Sequence, residues 1–155
     1  MDTTRNRVGL RPAGAKDLAA VRALLADASL PTDGLDEQFG PGYLVAEDAG
    51  VLVGAMGIER YGAYGLLRSA VTAPSWRGRG VGQALTHERI DWARSQRLTA
   101  LFLLTTTAAD FFARFGFQPV ERPTVPEEIR RSREFSSACP ASATVMVLSL
   151  DDPAR

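Results

Sequence analysis

The sequence predicts a single-domain fold of the mixed α/β (α+β) class, with a central mixed, mostly antiparallel sheet and helices on both faces. The 155 residues fit a single domain of ordinary size. Strand-like segments follow one another through two short turns in the first half, as in an antiparallel meander. Helical patterns then alternate with later strands, as in β-α-β crossovers, which place helices against a sheet. We expect one domain over 1–155, with its core at about 8–150 and frayed ends at 1–7 and 151–155.

The first half of the chain predicts four strands and one helix. Leu18, Val21 and Leu25 recur at the spacing of one helix face. Asp48-Ala49-Gly50 is a good hairpin turn between two apolar runs. A second turn follows at 61–65. In chain order, the predicted elements are a strand at 8–11, a helix at 15–28 and strands at 43–47, 51–61 and about 66–72.

The second half predicts three helices separated by short strands. Gly116 stands where the end of a helix prefers glycine. Thr124 and Glu127 have the spacing of a capping box, which predicts the start of a short charged helix. In chain order, the predicted elements are a helix at 80–97, a strand at 101–104, a helix at 108–115, a strand at 117–120, a helix at about 126–133 and a strand at 144–150.

Composition excludes several classes of protein. Eighteen basic residues balance eighteen acidic ones, whereas nucleic-acid binders usually carry a basic excess. The single cysteine, Cys139, excludes an intrachain disulfide. Met1–Arg7 is polar, unlike a signal peptide, and no run of about 20 apolar residues could span a bilayer. We expect a cytoplasmic protein that binds neither nucleic acid nor membrane.

The most informative stretch is the turn Arg77-Gly78-Arg79-Gly80-Val81-Gly82, between a predicted strand and a predicted helix. Alternate glycines let the backbone approach a ligand closely. The unpaired N–H groups and the dipole at the start of the helix favour a phosphate there. The turn therefore predicts a pyrophosphate ligand. A Walker loop is disfavoured because its lysine is missing, and a dinucleotide fold because Gln83 replaces the third glycine.

The segment from Val71 to Gly82 resembles the V-x-x-P-x-x-R/Q-x-x-G-x-G signature of the GNAT superfamily of N-acetyltransferases. A second segment, 108–117, is similar to that family's A-x-x-F-Y-x-x-x-G-F element. The resemblance implies the GNAT fold over about 8–120, and acetyl-CoA as co-substrate. Phe112 occupies the position of a tyrosine that often protonates the leaving thiolate in the family. A phenyl ring cannot do this, so the acid role is vacant or water fills it.

The resemblance also implies where acetyl-CoA binds. The glycine turn would hold its pyrophosphate. The backbone of 70–72 would bind the pantetheine arm and polarise the thioester carbonyl where the central strands splay apart, and such pre-positioned donors contribute strongly to catalysis. The implied cofactor-binding residues are Ala70, Val71, Thr72, Arg77, Gly78, Arg79, Gly80, Val81 and Gly82.

The segment 126–143 indicates a particular branch of this superfamily. It is similar to acetyltransferases encoded with bacterial arsenic-resistance genes, which are close to the short N-acetylglutamate synthases. Leu67-Arg68-Ser69 likewise resembles the Leu-Arg-Ser of glutamate-acetylating relatives. These likenesses imply that Arg68 and Ser69 bind an amino-acid acceptor, since a guanidinium holds a carboxylate by two hydrogen bonds. The alternative for Arg68 is a cross-strand ion pair.

Glu59 is the candidate partner of Arg68. An even number of residues in the 61–65 turn would place both on one face of the sheet. Glu59 could then steer Arg68, or act as the catalytic base and take the amine proton through a water. The alternative is a strand glutamate that faces solvent.

Three other polar residues are weaker candidates. Arg133 could contact an anion, but surface ion pairs explain most of the charges in its predicted helix, Glu134 included. Cys139 could contact substrate or form a buried Cys-Pro turn. His87, the only histidine, lies off the apolar face of its helix and is expected on the surface. One histidine and one cysteine predict no metal site.

The sequence therefore predicts direct transfer of an acetyl group, in a ternary complex, from acetyl-CoA to the amine of a small, anionic, amino-acid-like acceptor. Two alternatives stay open. One is a sensor that binds acyl-CoA without catalysis, and the other is an N-acetyltransferase for a protein or polyamine amine. The expected partner is a small-molecule amine, and the sequence leaves a homodimer open.

Overall fold

The computed structural model describes residues 8–135 and 142–150, which form a seven-stranded sheet with helices. The strands are β1 (Val8–Pro12), β2 (Tyr43–Asp48), β3 (Val51–Tyr61), β4 (Tyr64–Thr72), β5 (Ala100–Thr105), β6 (Gln118–Pro119) and β7 (Thr144–Ser149). The helices are α1 (Leu18–Asp27), α2 (Val81–Ser95), α3 (Ala109–Ala113) and α4 (Glu127–Arg130). In the described part of the chain, no helix is both long and apolar enough to span a bilayer.

The sheet has the order β1-β2-β3-β4-β5-β7-β6. Strands β1 to β4 form an antiparallel meander, and β5, β7 and β6 also pair antiparallel. Strands β4 and β5 pair parallel, because α2 crosses over between them. The predicted mixed, mostly antiparallel sheet is confirmed.

Two tight turns set the register of the meander. Ala49 and Gly50 have φ of 51° and 83°, the left-handed conformation that two-residue hairpin turns require. At the second turn Tyr61 pairs with Tyr64, so the loop between them has two residues. This even number places Glu59 and Arg68 on the same face of the sheet, as the sequence analysis required.

Alternation along the strands divides the core between the two faces. Leu44 and Ala46 pack with α2 on one face, whereas Tyr43 and Val45 pack with α1 on the other. Helix α3 lies on the α2 side through Phe112. Helix α4 packs Ile129 against Leu66 and Phe102 in a third cluster. The predicted helices on both faces are therefore present.

The charged segment after 120 differs from its prediction. The Thr124 hydroxyl donates to the Glu121 carbonyl oxygen (2.6 Å) instead of capping a helix, and Pro126 precedes a helix of only four residues, Glu127–Arg130. The predicted capping box was wrong. The predicted helix is interrupted, because α4 ends at Arg130 and a turn and a bend at 131–132 precede the helical backbone that resumes at Arg133. The predicted strand at 117–120 is reduced to Gln118–Pro119.

Candidate active site

The glycine turn lies between β4 and α2. Gly78 and Gly80 have φ of 78° and 86°, which residues with a Cβ rarely adopt. A Cβ built on either residue would meet no protein atom within 4 Å. Gly80 is the N-cap of α2, whose 15 residues make a substantial helix dipole. The backbone there is bare, open and electropositive, which suits a pyrophosphate.

Beside this turn, strands β4 and β5 separate. Their parallel pairing ends at Leu66 and Phe102, although β4 continues to Thr72. Backbone groups on the β5 side of Ala70–Thr72 therefore lie beyond the ladder, where a ligand can use them. The splay that the family resemblance implied at 70–72 is present.

A β-bulge changes the direction of β4 just before β4 and β5 separate. Ala55 pairs with Val71 and Gly57 with Arg68, so Ser69 and Ala70 together stand opposite a single residue of β3. Ser69 has φ of 60°, which is uncommon for a residue other than glycine and costs energy. The buried Ser69 Oγ lies 3.3 Å from the hydroxyl of Tyr43, a contact that helps to fix the bulge.

A cavity of about 440 Å³ joins the glycine turn to the splayed strand. It is lined by every predicted cofactor-binding residue except Arg79, whose guanidinium stacks 4.8 Å from the centre of the Trp76 ring. Trp76 and Arg114 also line the cavity, and the sequence analysis did not assign them to the site. Both lie inside the segments 71–82 and 108–117 that resemble the family motifs, but at positions where those motifs accept any residue, so the motifs do not mark them.

A second cavity of about 720 Å³ lies on the other side of β4. The two cavities share wall residues, namely Ala70, Val71, Thr72, Arg77, Ala108 and Phe112. Three of them, Ala70, Val71 and Thr72, form the bulged and splayed end of β4, which therefore borders both spaces. A ligand in the first cavity could therefore contact a ligand in the second at the end of β4.

Phe112 stands at the junction of the cavities. It is 6% exposed, and its ring makes edge contacts with Phe111 (5.0 Å between centroids) and Phe117 (5.7 Å). The phenyl group offers no proton, so in this chain residue 112 does not protonate a leaving group. This absence of a hydroxyl is the departure from the family motif seen in the sequence.

Arg68 forms the floor of the second cavity and is paired on several sides. Its side chain is fully buried, and its Nη1 lies 3.2 Å from a carboxylate oxygen of Glu59. The same guanidinium donates to the carbonyl oxygens of Asp33 (2.8 Å) and Pro31 (3.3 Å). The cross-strand ion pair considered from sequence is therefore present.

Glu59 is buried behind Arg68 and does not face solvent. One of its carboxylate oxygens accepts from the Tyr61 hydroxyl (2.6 Å) and the other from Arg68 (3.2 Å). It is not among the residues that line either cavity. Two roles were considered for Glu59, namely orienting Arg68 and acting as the catalytic base. This arrangement favours the first.

Glu134 occupies a position that the sequence analysis missed. It is 4% exposed, lines the second cavity, and has one carboxylate oxygen 3.5 Å from Nε of Arg68. Burial raises the pKa of its carboxyl to about 8, because the nearby Arg68 charge only partly offsets the loss of water. The expectation of a surface charge was wrong, since the chain turns inward after the short helix α4.

The other candidates lie elsewhere. Arg133 is 58% exposed, lies 3.2 Å from Glu37 and lines neither cavity. His87 is exposed as predicted, and its ring contacts Phe115 edge-on at 5.0 Å. Cys139 lies outside the described residues. Within 8–135 and 142–150, no three histidine, cysteine or acidic side chains cluster as a metal site would require.

Comparison with known proteins agrees with this geometry. Residues 40–119 match the family model of the acetyltransferase (GNAT) domain, over strands β2 to β5, the glycine turn and α3. The chain belongs to the family of acetyltransferase (GNAT) domains.

Solved structures share the fold at low sequence identity. N-acetylglutamate synthase from Neisseria gonorrhoeae, complexed with coenzyme A and N-acetyl-glutamate, is 23% identical with a TM-score of 0.79. The match covers 94% of this chain but 35% of that protein, so the chain spans about a third of its length.

Two smaller proteins match over nearly their whole length. Rv2747 from Mycobacterium tuberculosis, solved in complex with CoA, is 24% identical with a TM-score of 0.76, over 91% of this chain and 98% of that one. The ribosomal-protein-alanine N-acetyltransferase of Escherichia coli is 16% identical with a TM-score of 0.71, over 94% and 95%. The fold therefore accompanies acceptors of different kinds.

Proposed function

We propose that this chain transfers the acetyl group of acetyl-CoA directly to the amine of a small, anionic, amino-acid-like acceptor. The observation that carries the proposal is the pair of cavities that meet at Ala70–Thr72. Acetyl-CoA would lie in the first, with its pyrophosphate at the glycine turn and its thioester at the junction. The acceptor would enter from the second, so that both reactants are held together for attack.

The charges of the second cavity support an amino acid as acceptor. Arg68, Arg77 and Glu134 line it, so its wall presents both signs of charge. An amino acid carries an ammonium and a carboxylate, which match that pattern. We assign Arg68, Ser69 and Arg77 to the carboxylate side, with Arg68 held in place by Glu59. Arg77 is the freer of the two arginines, since its Nε donates to the Thr72 carbonyl oxygen (3.2 Å) at an exposed position.

The relatives support the same acceptor class without deciding it. The Neisseria protein was solved with N-acetyl-glutamate, which is the acetylated form of an acidic amino acid. The likeness of 126–143 to arsenic-associated enzymes extends the proposal to amino acids with a distal phosphinate or arsenical oxyanion. Glutamate and these oxyanion-bearing amino acids share one property, which is a second anionic group besides the α-carboxylate.

A thiol-release assay tests the proposal. Purified protein is incubated with acetyl-CoA and each of the twenty standard amino acids, their phosphinate and arsenical analogues, spermidine and a lysine peptide. We expect the highest kcat/KM with acidic amino acids or their oxyanion analogues. A preference for spermidine or the peptide would contradict the proposal, and binding of acetyl-CoA without any turnover would indicate the sensor instead.

A further inference from the structure

We propose that Glu134 is the general base of this acetyl transfer and takes the proton from the acceptor's ammonium group. The inference rests on the proposed function, because it places the acceptor in the second cavity. It assigns the step to a residue from the segment after α4, which no local motif marks. Glu59, the candidate from sequence, is held away from the cavity by Arg68 and Tyr61.

The Glu134 carboxylate has one oxygen without a hydrogen-bond donor in the part of the chain that the structure describes. Glu134 Oε1 faces Arg68 Nε at 3.5 Å, whereas Oε2 is buried and accepts no hydrogen bond from the described residues. A buried carboxylate oxygen without a partner costs about 1–3 kcal/mol or more. Glu134 lines the cavity, so an ammonium entering there would supply the missing donor.

The charges of the buried cluster around Arg68 do not balance. Arg68 of β4 faces two carboxylates, Glu59 of β3 and Glu134, so one positive charge meets two negative ones. Tyr43 of β2 also faces this group, and burial raises its pKa to about 12, which keeps it uncharged near neutrality. The cluster therefore lacks one positive charge, and either an acceptor ammonium or a proton on Glu134 restores the balance.

The basicity of Glu134 also suits the removal of a proton from an ammonium group. A pKa raised to about 8 by burial is close to the working pH, where a general base is most effective. An ordinary glutamate would hold a proton too weakly to deprotonate an amine. The same burial that makes Glu134 costly to the fold makes it a competent base.

The proposed acetyl transfer removes two protons from the acceptor's ammonium group. Ionised Glu134 takes one proton from the ammonium and leaves a neutral amine. The amine nitrogen bonds to the thioester carbonyl carbon, the carbon–sulfur bond breaks, and coenzyme A leaves as thiolate. The second amine proton passes through water to that thiolate, since Phe112 offers none. Glu134 returns its proton to solvent.

The test is Glu134→Gln, which keeps the shape of the side chain but removes its basicity. The substrate is the most active standard amino acid in the thiol-release screen. We expect kcat/KM at pH 7 to fall roughly 100- to 10,000-fold. In the wild type, kcat/KM should rise with pH through about 8, and the variant should lose this limb. Glu128→Gln, an exposed change in the neighbouring helix α4, should keep the wild-type profile.

A nucleophile that is already neutral separates the base from a structural role. Hydroxylamine needs no deprotonation near pH 7, so its acetylation should differ less than tenfold between wild type and Glu134→Gln. Equal losses with hydroxylamine and with the amino acid would overturn the inference, as would an unchanged pH limb with a higher KM. Failure of every standard amino acid as a substrate would overturn the proposed function, and this inference with it.

Discussion

At the scale of single residues, the site is defined by side chains that depart from expectation. Phe112 replaces a proton donor with a phenyl ring at the junction of the cavities. Arg68 and Glu134 are charges buried to 3% and 4% exposure. Buried charges are stable only when they are paired or serve a ligand. The missing hydroxyl at Phe112 and the buried side chains of Arg68 and Glu134 all lie along the proposed reaction path.

Restoring a hydroxyl at residue 112 tests whether this chain needs a side-chain acid. We expect Phe112→Tyr to stay folded and to keep or raise kcat, because the added hydroxyl can face the cavity that the ring lines. Turnover and acetyl-CoA affinity are measured by thiol release and calorimetry. A collapse in acetyl-CoA affinity would instead show that the ring packs tightly against the cofactor. The control is Phe117→Tyr, at a ring 2% exposed and lining neither cavity, which should lose stability by about 1–3 kcal/mol.

Removing Arg68 should affect the whole fold before it affects binding. Arg68→Ala leaves Glu59 and Glu134 buried without their shared cation. The free energy of unfolding should fall by about 3–5 kcal/mol, measured by urea denaturation at pH 7. Arg131→Ala is the control, because its ion pair with Glu127 is 74% exposed on the arginine side and should change stability by about 1 kcal/mol or less. Similar losses in the two variants would show that the buried cluster is not a unit.

At the scale of elements, the start of α2 does two jobs. It begins the crossover from β4 to β5, and we propose that its bare N–H groups bind a pyrophosphate. Gly80 needs glycine for its positive φ, whereas Gly82 lies inside the helix with no such requirement. A Cβ at Gly82 would make only ordinary contacts, at 3.6 Å to Phe111 and 3.7 Å to Thr72. The fold therefore does not require glycine at this position, and we propose that it serves the ligand.

This difference makes Gly82→Ala a clean test of the cofactor site. Alanine favours a helix over glycine by up to about 1 kcal/mol, so the melting temperature should hold or rise. The added methyl group projects into the cavity wall, so acetyl-CoA affinity should fall at least tenfold by calorimetry. Gly50→Ala, in a distant hairpin turn at positive φ, should show the reverse: lower stability and unchanged affinity. Unchanged acetyl-CoA binding by the folded Gly82→Ala protein would mean that the site is wrong.

At the scale of the whole molecule, the buried cluster links the reaction to stability. The Glu134 carboxyl has a folded-state pKa of about 8, against 4.5 when unfolded. Between these values the folded protein holds a proton that the unfolded chain has lost. Its contribution to stability is therefore complete below about pH 4.5 and is lost as the pH rises through about 8. Asp17 acts in the opposite sense at low pH, because Arg11 and the Gly14 N–H lower its pKa to about 2.

We therefore expect the free energy of unfolding to decline from pH 5 to pH 8, by up to about 1.4 kcal/mol per pH unit. Glu134→Gln should flatten that decline and make the protein more stable than the wild type at pH 8. Urea denaturation at pH 5, 6.5 and 8 measures both proteins. Parallel curves for the two would contradict a buried, proton-binding Glu134.

The sequence by itself determined the order of elements, both hairpin turns and the glycine turn, because apolar periodicity, turn residues and bare backbone act over a few neighbouring residues. The family resemblance also pointed to Ala70–Thr72, and these residues line both cavities. Only the tertiary structure decided which charges are buried and which face the cavity. Glu134 and Glu59 are about equally buried, yet one lines the cavity and the other lies behind Arg68. Such placement depends on contacts between segments far apart in the chain, whose relative positions no local pattern records.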